Sequence, residues 1–127
     1  MSMRYDRFIA EVGDRAGLSR EEAEAATHAV LRVLSERLSG GEAEDLRAQL
    51  PKALQEDLLP PQEEAQGFGV TEFARRVAER TGLDESQASI AVAAVLSVLQ
   101  DAVSGGEFED VVGQLGRDYA ELIDTTT

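Results

Sequence analysis

Apolar positions recur along this chain at helical spacing. Tyr5, Phe8, Ile9 and Val12 fall on one stripe and predict a first helix over about residues 4–16. Gly17 follows where a left-handed residue ends a helix. Ser19 and Glu22 have the spacing of a capping box, in which the hydroxyl accepts a backbone N–H and the carboxylate reaches back. They predict a second helix over about 20–38, broken by Gly40-Gly41. Glu42, Glu44 and Asp45 then crowd the first turn of a third helix, where the positive end of the dipole favours them. That helix turns Leu46 and Leu50 inward. Pro51 suits the first turn of a fourth helix carrying Leu54 and Leu58. No segment alternates with a period of two, so no sheet is expected.

The same pattern returns 65 residues later without a gap. Residues 5–58 fall on 70–123 with 21 identities in 54 positions. A self-match of this extent reads as a tandem duplication. In the second copy Val70, Phe73, Ala74 and Val77 form the stripe, Gly82 stops it, and Asp84 with Gln87 supplies the box. From Ala88 to Leu99 only Ser89 and Ser97 are polar. A helix apolar nearly all round is normally buried. This one spans about 18 Å, too short for a membrane. Each copy has about 55 residues, near the lower limit for an independent fold.

These patterns predict an all-α protein. Residues 1–127 are expected to form one compact domain, a pseudo-twofold bundle of about eight helices in two tandem four-helix repeats. Repeat 1 covers about 4–59, a linker about 60–69, and repeat 2 about 70–124. Pro60-Pro61 make the linker semi-extended, with Phe68 as an anchor. The tail from Asp124 is expected to fray.

Composition narrows the chemistry. The net charge is −13, split as −6 over Met1–Ala65 and −7 over Gln66–Thr127. Nucleic-acid backbones and anionic membranes are repelled by such a chain. The absence of cysteine removes disulfides, thiolate metal sites and a cysteine nucleophile. A single histidine removes any multi-His metal site. The N-terminal residues lack a signal-peptide core, so the chain is expected to be soluble and cytoplasmic.

The candidate residues each have a bland structural role. His28 has no second His and faces Ala93 in the repeat alignment, so it is expected to be an incidental helix-surface or edge residue. Leu38-Ser39-Gly40-Gly41-Glu42, and nearly Val103-Ser104-Gly105-Gly106-Glu107, is similar to the signature loop of ABC-type ATPases. No Gly-x-x-x-x-Gly-Lys-Ser/Thr loop accompanies it, and the acids that follow would repel phosphate. The stretch is expected to be a helix joint. Glu42/Glu44/Asp45 and Glu107/Glu109/Asp110 offer oxygen ligands but lack EF-hand spacing, so dipole compensation is expected of them. Arg15 and Arg80 recur before Gly17 and Gly82. They are expected to satisfy the last carbonyls of a helix or to pair with an acid of their own copy. No nucleophile–base pair is visible. No catalytic, cofactor-binding or metal-binding residue is therefore assigned, and no cofactor is expected.

The pattern F-x-x-x-V-x-x-R-x-G-L … A-x-x-A-x-x-A-V-L-x-V-L-x-x-x-x-S-G-G-E-x-E-D occurs twice. It resembles domain-of-unknown-function family 2267, a family of small bacterial proteins. In the first copy the matching residues are Arg15, Gly17, Leu18, Leu38, Ser39, Gly40, Gly41, Glu42, Asp45, Leu46, Gln49, Leu50 and Pro51. The second copy departs where Gly116 stands for the proline and Phe108 and Val111 stand for Ala43 and Leu46. The fourth helix is expected to begin differently there. The resemblance implies a helical cytoplasmic bacterial protein and supplies no activity. The leading expectation is a non-catalytic protein-interaction or regulatory module, not an enzyme, with an apolar groove where the copies meet. Its partner is expected to be protein, not nucleic acid or membrane; a homo-oligomer is compatible. The alternatives are a small-ligand binder or enzyme with a pocket between the repeats, and an acidic mimic of nucleic acid.

Overall fold

A computed structural model describes residues 3–58 and 65–126, with side chains through Asp124. Eight α-helices make up its regular structure together with one 3-10 turn, and the described residues contain no strand. In chain order they are α1 (Tyr5–Ala16), α2 (Arg20–Arg37), α3 (Gly40–Ala48) and α4 (Lys52–Gln55), then α5 (Val70–Thr81), α6 (Glu85–Ala102), α7 (Gly105–Leu115) and α8 (Arg117–Thr126). The 3-10 turn Glu56–Leu58 continues α4. α1 and α5 each have 12 residues, and α2 and α6 each have 18. All four begin 65 residues from their counterparts. This order is compatible with two tandem four-helix repeats.

Local chemistry sets the ends. Gly17 and Gly82 stop α1 and α5 at φ 68° and 81°, left-handed values that a side chain opposes. Both capping boxes close: Ser19 with Glu22, and Asp84 with Gln87.

The glycine pairs behave differently from expectation. α2 ends at Arg37, with Leu38 in an extended conformation, and Ser39 then caps α3. Gly40-Gly41 are the first residues of that helix and do not break the one before. The Ser39 hydroxyl accepts the Glu42 N–H at 3.3 Å, which draws both glycines into the turn. Ser104 does the same for α7 through Glu107. The fourth helix of the first half is a single turn with Pro51 as its cap, whereas α8 starts after Gly116 and runs through Thr126. The tail expected to fray is therefore helical as far as Thr126. Residues 59–64 of the expected linker lie outside the described residues. Phe68 does anchor the chain: its ring sits 6.1 Å from Phe73 and 3.9 Å from the Arg76 guanidinium.

α2 and α6 run through the middle, and the outer helices pack crosswise. α1 lies on both α2 and α6, and α5 lies on both α6 and α2. Phe8, Val12, Leu31, Phe73, Val77 and Leu96 are fully buried between them. α6 buries eleven residues, as its apolar run requires. Charged side chains follow the same cross. Arg15 donates to Asp101 at 2.7 Å, and Arg80 pairs with Glu36. Each of these residues lies 65 positions from its counterpart in the other pair, an exchange of partners compatible with a local twofold relation.

Candidate functional site

The carboxylate joint between the halves forms where α3 meets α7. At Ser19 the capping box is complete, with Glu22 accepting the Ser19 N–H at 3.0 Å. Ser39-x-x-Glu42 has the same spacing, yet its box stays open. The Ser39 N–H goes instead to Gln114 Oε1 at 2.9 Å, and Gln114 Nε2 donates to the Ser39 hydroxyl at 3.1 Å. The reciprocal pair is present: the Ser104 N–H goes to Gln49 Oε1 at 2.7 Å, and Gln49 Nε2 donates to the Ser104 hydroxyl at 3.3 Å. A glutamine from the opposite half thus takes the place of each glutamate.

The released carboxylates converge. Glu42, Glu107 and Asp110 each place one oxygen within 4.8 Å of the others. Glu107 is only 8% exposed, while Asp110 lies at the solvent edge. With the carboxyls ionised, Glu42 Oε1 and Glu107 Oε2 are buried without a donor. Among the described residues no Arg or Lys pairs with Glu42, Asp45, Glu107 or Asp110. Burial first, then a hydrogen bond to Glu42 and the negative charges of Glu42, Asp45 and Asp110, push the Glu107 carboxyl up to about 8. Such an arrangement can hold a shared proton or surround a cation. Glu44 and Glu109, grouped with these acids by sequence, stay exposed and outside the trio.

His28 is not incidental. Its Nδ1 lies 2.6 Å from Asp57 Oδ2 and its Nε2 3.2 Å from the Tyr5 hydroxyl. Asp57 is buried and also accepts from Arg32 Nε at 3.1 Å. Tyr5 donates to Glu24 at 2.8 Å, which links Glu24, Tyr5, His28, Asp57 and Arg32 in one network. Burial and the bond to Glu24 push the Tyr5 hydroxyl up to about 12, which makes it a donor and a poor nucleophile. The cluster ties α1, α2 and the 3-10 turn together.

The recurring arginines also do more than expected. Arg15 pairs with Glu11 of its own half at 3.1 Å, but it crosses to Ser97 at 2.6 Å and to Asp101 as well. Arg80 finds its partner, Glu36, in the other half. Arg37 was missed. Its guanidinium donates to the carbonyls of Phe68, Gln114 and Leu115 at 2.8–2.9 Å and lies over the Tyr119 ring. It closes the end of α7 from the opposite half.

Fold and site together define an all-α protein whose two helical halves meet at a shared carboxylate cluster. The chain belongs to the family described as Uncharacterized conserved protein (DUF2267), which matches residues 5–122. Comparison with curated proteins finds no match. Among the described residues no single helix is long and apolar enough to cross a membrane.

Proposed function

We propose that this protein is a non-catalytic protein-interaction and regulatory module of the cytoplasm, and that it recognises a basic protein surface through charge. The supporting observation is the surface itself. The chain carries a net charge of −13 shared by both halves, and Ile90 is the one large hydrophobic residue exposed among the described residues. The faces on which the halves meet are filled largely by core side chains. Without an apolar anchor, long-range attraction and complementary charge govern encounter and specificity.

The test is affinity capture of the tagged chain, without cross-linking, from the native host at natural expression level, washed at low and at high salt. A stoichiometric protein with a basic face, released by salt, is the expected result. A partner held equally well at high salt, or turnover of a small molecule by the purified chain, would overturn the reading.

A further inference from the structure

The joint of α3 and α7 has properties that dipole compensation does not explain. An acid that only offsets a helix dipole sits in solvent near the first turn. Glu107 is instead 8% exposed and, when ionised, keeps a buried oxygen with no donor. Glu42 keeps another, and Asp110 completes a set of oxygens within 4.8 Å of one another. Gln49 and Gln114 hold the two capping serines, so neither glutamate is needed for its own helix. Ionised together, three carboxylates at this separation would repel one another strongly in a partly dry setting, and a cation would relieve that repulsion. Nothing basic among the described residues offsets them.

We infer that Glu42, Glu107 and Asp110 bind one hard divalent cation of the calcium, magnesium and manganese class. The donor set is oxygen alone, which suits those ions and not zinc or copper. His28 is engaged by Asp57 and Tyr5 and supplies no nitrogen. Water completes the coordination on the exposed Asp110 side. Because Glu42 comes from α3 and Glu107 and Asp110 from α7, the ion would clasp the two halves to each other. This inference stands on the trio alone and does not depend on the partner proposed above.

The experiment uses the full chain stripped with a chelator. Calcium, magnesium and manganese chlorides are titrated separately by calorimetry, and manganese binding is followed by its paramagnetic resonance signal. One saturable site per chain is expected, with a melting temperature that rises as the ion is added. Glu107→Gln removes a direct ligand without shortening the side chain and also removes repulsion, so it folds. Its affinity should fall by at least the roughly tenfold that loss of a mere outer-shell partner costs. Glu109→Gln, an exposed neighbour outside the trio, should bind as the unaltered chain does. Lack of saturable binding by about 1 mM of each ion would overturn the inference. Equal affinity in Glu107→Gln, or an equal loss in Glu109→Gln, would do the same by showing a diffuse acidic effect.

Discussion

Glu107→Gln also probes the energy stored at the joint when no metal is present. The wild-type carboxyl holds its proton up to about 8, against 4.5 for an ordinary glutamate, and burial is the main cause. The folded state therefore binds more protons than the unfolded chain between those values. Stability from this group is fully present below about 4.5 and declines as the pH rises towards 8, after which it is constant. Taken whole, that displacement corresponds to at most about 5 kcal/mol. Water at the Asp110 edge screens part of it, and about 2 kcal/mol is the expected size. Glutamine keeps the shape but does not ionise. The variant should match wild type within about 0.5 kcal/mol at pH 4.5 and exceed it by about 2 kcal/mol at pH 9. Urea denaturation in chelator at pH 4.5, 7 and 9 measures this, provided the dependence on urea is the same for both proteins. Taking the difference at each pH cancels the carboxylates held low by arginine or caps, such as Glu36 and Glu22, whose effect has the opposite sign. A difference that does not change with pH, or a variant less stable at pH 9, would refute the reasoning.

Three further outcomes are expected from denaturation of single variants. Thr27 is fully buried with its hydroxyl unbonded, and Val92 occupies the equivalent place in the second half, so Thr27→Val should stabilise by about 1 kcal/mol. Gly82→Ala meets no atom within 4 Å but must hold φ 81°, so it should cost about 1 kcal/mol, whereas Gly106→Ala, in open helix, should be neutral or slightly stabilising. Arg37→Ala leaves the Gln114 and Leu115 carbonyls without this donor, while Phe68 keeps the Tyr119 hydroxyl, and should cost about 2 kcal/mol; Arg37→Lys should recover little, because one ammonium cannot match the planar fork.

The helices were legible because each signal was local. Phe8, Ile9 and Val12 mark their face by spacing, and Gly17 marks its end by the conformation it alone takes easily. The open boxes at Ser39 and Ser104 were not legible. Their sequence is that of a closed box, and only the arrival of Gln114 and Gln49 from 75 and 55 positions away decides otherwise. The His28 cluster had a readable trace that comparing the copies reveals. Tyr5, His28 and Asp57 stand against Val70, Ala93 and Leu122, so polar groups appear in one half only. Glu24, His28 and Arg32, four residues apart, share one face of α2. The contrast identifies positions that a shared helical core does not need.

The crosswise arrangement of the halves bears on the composition of the acidic cluster. When two equivalent segments meet about an axis, a residue near that axis faces its own counterpart. A glutamate at an ordinary helix start then acquires a twin charge without any second substitution. Glu42 and Glu107, 65 positions apart, form such a facing pair. The third member breaks that symmetry, since Asp110 joins the pair while its counterpart Asp45 does not. Two of the three oxygens thus come from corresponding positions of the two halves, and Asp110 is the member that makes the cluster asymmetric.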